Sequence, residues 1–146
     1  ANLWGIILKS TNLKGANLRG TYLLHGANLT GADLSNADLT KANLSKAELG
    51  GVKLIKANLY KAKLSEANLS GADLSEADLS KTKLNKAKLS KVNLQNACLR
   101  GTDLKGAADL TIEQLSEVNT LYKSKIDAEL VEQIKEKHPH LLEKPK

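Results

Sequence analysis

The sequence holds three histidines and one cysteine, the side chains best suited to metal ligation or nucleophilic chemistry. His138 and His140 flank Pro139, and His25 lies far away along the chain. Zinc ligation needs Cys and His paired at short, fixed spacings, and no such cluster occurs. The expected state of His138 and His140 is a solvated pair. Cys98 stands alone, so an intrachain disulfide is excluded and the redox compartment is left open. Nothing beside it marks a nucleophile. Gly50-Gly51 is an isolated turn rather than a nucleotide fingerprint. These residue types and spacings predict no catalytic residue, no metal, no cofactor and no small-molecule substrate.

The remaining chemistry is charge. The chain carries 22 bases and 16 acids, a net charge of +6. Residues 1–106 hold 16 of the bases and 8 of the acids, and the tail holds 6 and 8. The apolar residues are mostly Leu and Ala, with no Phe, no Met and one Trp. Irregular cores use aromatics and Met to fill gaps, so a core of two residue types implies a regular interior. The run from Leu3 to Leu8, broken by Gly5, is far too short to span a membrane. It also lacks the basic leader of a signal peptide. A cytoplasmic location is expected; Ala1 is not Met and already lies inside a repeat, so a processed segment and other compartments stay open.

What positions this charge is a repeat. Leucine recurs every five residues at Leu3, Leu8, Leu13, Leu18 and Leu23. One extra residue falls near Leu24. The register resumes at Leu29 and continues through Leu34, Leu39, Leu44, Leu49, Leu54, Leu59, Leu64, Leu69, Leu74, Leu79, Leu84, Leu89, Leu94, Leu99 and Leu104. Two residues before each leucine stands Ala in 14 of 21 units, otherwise Thr, Val or Ile. A period of five fits neither a helix nor a strand. It fits a coil in which five residues form one side of a square and then turn. Leu and Ala face the axis, and the residue between them faces out. Ala suits the crowded second position, where a larger side chain would overpack. Frequent Gly and Asn near the corners allow tight turns.

Ala32-Asp33-Leu34, Ala37-Asp38-Leu39, Ala72-Asp73-Leu74 and Ala77-Asp78-Leu79 carry a family resemblance. The sequence resembles the pentapeptide-repeat family, cyanobacterial members included, over residues 1 to about 107. The resemblance implies an all-β solenoid: a right-handed quadrilateral β-helix with four units per coil. Twenty-one units then make about five coils, a rod about 25 Å long at ~4.8 Å per strand. The domain reading is residues 1–107 as β-helix, with a one-residue insertion near 24, and residues 108–146 as a C-terminal helical cap and tail.

Thr111-Ile112-Glu113-Gln114 reads as a capping box opening a helix to about Val118, with Ile112 and Leu115 on its apolar side. A second helix is expected from after Asp127 to about Lys137, with Leu130, Val131 and Ile134 as its stripe and Pro139 beyond its end. Leu141 and Leu142 are expected to fold back. The tail reads as a lid over an open solenoid end; a partner-binding helix pair is the alternative. The opposite end has no such lid, and Trp4, Ile6 and Ile7 add apolar surface there, which suggests self-association.

Equivalent positions should stack every 20 residues. Lys41, Lys61 and Lys81 then form one ladder, and Lys63 and Lys83 another on the neighbouring face. Lys86, Lys88 and Lys91 thicken the positive end. Tyr60 is the aromatic candidate beside the first ladder. These residues are the candidate interaction surface, suited to an acidic protein, nucleic acid or anionic lipid. The plain alternative is a solvated lysine surface that keeps the rod soluble. Some pentapeptide-repeat proteins resemble B-DNA in shape and charge and bind DNA gyrase in its place, in quinolone resistance or toxin protection. B-DNA would carry roughly fifteen negative charges over this length, and the basic repeat disfavours that reading. The leading expectation is a non-enzymatic scaffold for protein–protein interaction. Leu59→Asp, in a middle coil, is expected to lower the melting temperature far more than Ser80→Asp on the surface; equal melting temperatures would refute the square coil.

Overall fold

The computed structural model of the protein describes residues 4–22 and 25–146. Leu3, Leu23 and Leu24, which carry the first unit and the register slip, lie outside the described residues.

One unit shows how the repeat works. In Ala57-Asn58-Leu59-Tyr60-Lys61, each of the five backbone N–H groups has a different acceptor. Ala57 donates to Leu54 O across the corner (3.0 Å), Asn58 to Ala37 O on one neighbouring coil (3.0 Å), and Leu59 to Asp78 O on the other (2.8 Å). Lys61 donates to Ser80 O (3.0 Å). The Tyr60 N–H points away from both neighbours, and the Asn58 side chain accepts it at 3.0 Å. The same side-chain bond recurs at Asp33, Asp38, Asp73 and Asp78. Asn and Asp are therefore selected at the outward position by a backbone donor that the coils cannot satisfy.

Parallel β-bridges join residues 20 apart, as in Asn58↔Asp78↔Cys98. Asn28, Asp33, Asp38 and Asn43 each carry one before Glu48 stacks on Asn28, so each coil has four sides. The first bridges, Ile7↔Asn28, Asn12↔Asp33 and Asn17↔Asp38, span 21 residues. The bridges before the slip expected near residue 24 are thus offset by one residue from those after it.

Every leucine from Leu29 to Leu104 in the register is at most 2% exposed, and the alanines paired with them are as buried. Ile6, Leu8, Leu13 and Leu18 in the first coil are only partly buried and pack on this core from one side. Thr82 and Thr102 occupy alanine positions, and their hydroxyls donate to Leu59 O and Leu79 O at 2.7 Å. Among the described residues no buried side-chain polar atom lacks a partner.

Each corner is a β-turn whose third residue has positive φ, as a type II turn requires. Through residue 106 these corner residues are nine glycines, seven lysines, two asparagines, two glutamates and one serine. Glycine adopts this conformation freely, whereas a lysine there is strained.

At the C-terminal end, α1 (Ile112–Ser116) opens with the expected capping box. Thr111 Oγ1 accepts from Gln114 N, and Gln114 Oε1 accepts from Thr111 N at 2.8 Å. Gln114 Nε2 also donates to Val92 O at the coil's end and to Leu89 O, which accepts the turn bond from Val92 N as well. α1 ends two residues before Val118, which is buried in the turn that follows. The ladder then continues past α1: Thr120 bridges Cys98 and Lys125 bridges Asp103. α2 (Ala128–Lys137) follows, its N-cap residue Asp127 accepting from Gly106 N at 3.2 Å rather than capping its own helix. Ile134 and Leu141 are buried, Leu130, Val131 and Leu142 partly so, and Leu121 N donates to Leu141 O.

Lys46→Gly, at a corner with φ 60°, is expected to stabilise the protein by up to about 1 kcal/mol, because relief of strain exceeds glycine's added chain entropy. Lys46→Ala is expected to give no such gain. Urea midpoints of the two variants test this.

The carboxyls of Asp33 and Asp38 lie below the usual carboxylate value, chiefly because the Ser35 and Thr40 side chains, and then their N–H groups, hydrogen-bond to them. A lowered folded-state pKa contributes stability above the unfolded value, near pH 4, and loses it as pH falls through the folded value. Asn keeps the turn acceptor without titrating, so Asp33→Asn/Asp38→Asn should lose less stability than the parent on acidification below about pH 4. Thermal melts across that range provide the check.

Candidate interaction surface

The bridge register sorts every outward residue into columns. One edge of the rod runs through the corner pairs Arg19-Gly20, Thr40-Lys41, Tyr60-Lys61, Ser80-Lys81, Arg100-Gly101 and Tyr122-Lys123. Consecutive pairs are joined by backbone bonds from Gly20, Lys41, Lys61, Lys81 and Gly101 to the next coil. These twelve positions carry six bases and no acid. The lysines expected to stack do so: Lys41, Lys61 and Lys81 follow this edge, while Lys63 and Lys83 bridge on the face after it. That face continues through Asp103 to Lys125. The corner beyond it carries Lys46, Lys86 and Lys105 with Glu66.

Within residues 1–106, this face and the two corners that bound it, the basic half, hold ten bases and two acids. The other three faces and two corners hold six of each. The whole excess of +8 therefore sits on one side. Lys123 and Lys125 from the cap segment extend it. Asp33 and Asp73 share one face of the neutral half and Asp38 and Asp78 the next, with Lys53 and Asn58 between them in their columns. Lys86 belongs to the basic half, but Lys88 and Lys91 lie on other columns.

The aromatic residues follow the charge. Lys61 Nζ and Lys81 Nζ lie 5.2 and 5.8 Å from the centre of the Tyr60 ring. Lys123 Nζ and the Arg100 guanidinium lie 5.4 and 5.6 Å from that of Tyr122. At these distances the ring quadrupole attracts the cations. Desolvation, the largest single effect, pushes the Tyr60 phenol up, but the charges of Lys61 and Lys81 and their hydrogen bonds together outweigh it, so its pKa lies below the usual value. Tyr22, on the face after the edge, is 74% exposed. All three tyrosines of the chain thus stand on the basic half. Two shallow depressions open there. One of about 360 Å3 is lined by Tyr60, Asp78, Ser80, Lys81 and Arg100. The other, of about 530 Å3, includes Lys83, Asn85, Lys86 and Lys105.

Sequence reasoning found Tyr60 and its lysines but missed Arg100, Tyr122 and Lys123. A signal was present: Leu-Tyr-Lys occurs at 59–61 and again at 121–123. The spacing is 62 rather than 60, because the α1 coil takes two extra residues.

The groups considered for bond-making chemistry do not assemble. His138 and His140 meet edge to face, with ring centres 6.3 Å apart. His25 packs on Trp4, ring centres 4.6 Å apart. Cys98 Sγ lies 3.2 Å from Ser80 Oγ and is half-buried. Among the described residues no three His, Cys, Asp or Glu side chains form a metal-binding group, and no helix is long and apolar enough to cross a membrane.

A four-sided coil of five-residue units, with its chemistry confined to the outer surface, defines a β-solenoid repeat protein. The family model "Pentapeptide repeats" matches in 8 copies over residues 1–23, 23–54, 33–71, 53–90 and 67–106, and the chain belongs to this family. Its members form right-handed quadrilateral β-helices and are generally non-enzymatic structural or interaction proteins. No curated protein matches the chain. Among solved structures, HetL, involved in heterocyst differentiation regulation in the cyanobacterium Nostoc sp. strain PCC 7120, is 35% identical. The match covers 86% of this chain and 63% of HetL, with a TM-score of 0.45. The chain therefore spans less than two thirds of HetL's length. Rfr23 from the cyanobacterium Cyanothece 51142 is 28% identical over 84% of this chain and 89% of its own, with a TM-score of 0.41. QnrB1, a plasmid-mediated fluoroquinolone resistance protein, is 22% identical over 88% and 66%, with a TM-score of 0.43.

Proposed function

We propose that the protein is a non-enzymatic interaction scaffold, a rod of about five coils acting in the cytoplasm that offers its basic half to an anionic macromolecule. The observation that carries this reading is the charge partition: ten bases against two acids on one face and its two corners, six against six on the rest of the rod. A lysine coat serving only solubility has no reason to be one-sided. Lysine is also costly where it stands. Lys41, Lys61, Lys81 and Lys123 occupy positive-φ positions that glycine adopts without strain. Lys63 and Lys83 occupy outward positions where Asn or Asp would accept the spare backbone N–H, and lysine has no acceptor. The turn chemistry does not select these residues, so their selection rests on what their side chains meet outside.

The candidate interaction surface of Lys41, Lys61, Lys81, Lys63, Lys83 and Tyr60 therefore stands as one patch, enlarged by Arg100, Tyr122 and Lys123. A gyrase-directed role in place of DNA would need an acidic surface, and the half with the most carboxylates is neutral overall.

Heparin resin tests the reading. The protein is expected to bind and to elute only at moderate salt. Lys61→Glu/Lys81→Glu should abolish retention, while Lys53→Glu/Lys88→Glu on the balanced half should reduce it only slightly. Flow-through of the parent protein at low salt, or equal loss in both variants, would overturn it.

A further inference from the structure

We infer that the edge from Lys41 to Lys123 binds a single-stranded nucleic acid without sequence preference, its cations meeting phosphates and Tyr60 and Tyr122 stacking against bases. The inference rests on the anion-binding reading above and specifies its ligand.

Three observations favour this ligand over an acidic protein. First, the cations climb one corner of the rod coil by coil, Arg100 from the position next to the lysine column. Lys41, Lys61, Lys81, Arg100 and Lys123 occupy successive coils at ~4.8 Å per step, a ladder about 19 Å long. Arg19 extends the line but is held by Asp38 at 3.4 Å. A regular ladder complements a polymer with regularly spaced charge better than it does the irregular carboxylates of a protein surface. Second, the edge carries no acid among its twelve positions. Third, aromatics interleave with the cations. Tyr60 and Tyr122 sit in the ladder, each flanked by two of its cations. Carboxylate recognition has no use for such rings, whereas stacking on them contributes sequence-tolerant affinity for unpaired bases. Asp78, which lines the depression beside Tyr60, opposes a phosphate at that point; its Oδ1 accepts from Ser80 N and so is engaged with the backbone.

The ladder follows a single corner of the rod, and that favours a single strand over a duplex. A single strand is flexible and can lie along a line, with its bases turned toward the rings. A duplex backbone winds away from a straight edge after a few phosphates, and its bases are stacked out of reach.

The test is fluorescence anisotropy of the full chain with a labelled mixed-sequence 20-mer, as single strand and as duplex, with poly-L-glutamate as competitor. Five phosphate contacts give a log–log salt slope near −3.5, about a 100-fold loss of affinity between 50 and 200 mM salt. Lys61→Gln/Lys81→Gln should flatten that slope by about 1.4. Tyr60→Ala should weaken binding by about tenfold or more with the slope unchanged, and Tyr60→Phe should restore it. The duplex should bind at least about tenfold more weakly, for want of stacking. Heparin retention with no binding to the single strand would overturn this inference and leave the anion-binding reading standing. Loss of both would overturn both. Equal affinity for duplex, an undiminished affinity in Tyr60→Ala, or displacement by poly-L-glutamate at equal charge would each overturn the single-strand assignment, the last in favour of an acidic protein partner. Circular dichroism melts of each variant separate lost binding from lost fold.

Discussion

Everything in this structure depends on supplying an acceptor for each backbone N–H of a chain that turns a corner every five residues. Two of the five N–H groups in a unit such as Ala57–Lys61 are satisfied within the unit or the one before it, through the turn and the outward Asn. The other three require neighbouring coils. An isolated coil would leave most of its backbone unpaired, so stability grows only as coils stack. The leucine interior follows from the same constraint. Coils at fixed spacing repeat the same internal gap, and one residue type fills it each time.

The ends of such a stack are where the constraint bites hardest. At the C-terminal end Gln114 reaches back to the carbonyls of Leu89 and Val92, and Asp127 reaches back to the N–H of Gly106. Both are helix-cap residues by position, and both also serve the coil beneath. The cap is therefore joined to the solenoid by hydrogen bonds as well as by the apolar contacts of Ile112, Leu115 and Ile134. At the other end the first coil keeps its rungs, but its inward residues are half-exposed.

The outer surface shows two kinds of choice. At the outward position Asn and Asp serve the backbone, so the carboxylates of Asp33 and Asp38 are turn acceptors before they are surface charges. Lysine at a corner or an outward position works against the backbone. The net charge of the repeat, gathered on one side together with every tyrosine, is what distinguishes this rod from a merely soluble one. Charge spread evenly over four faces would keep the protein dispersed equally well. Gathered on one edge, it creates a field with a direction.

The five-residue period, the slip near residue 24, the capping box at Thr111–Gln114 and the helix beginning after Asp127 were all legible in the sequence. Each is written in residues close together along the chain, where local geometry decides. The Lys41–Lys61–Lys81 ladder was legible too, because a constant step of 20 projects sequence onto space. That projection fails where the step changes. Bridges of 21 residues before the slip and of 22 between Cys98 and Thr120 shift the columns. Arg19 and Tyr122 were therefore not seen to join the edge, whereas Arg100, forty residues after Tyr60, lay within the constant step and was overlooked. The sequence by itself determined the coil, its filling and its net charge, since these depend only on period and composition. The tertiary structure alone decided which face each charge occupies, because that depends on the summed register of every coil, and a single inserted residue resets it.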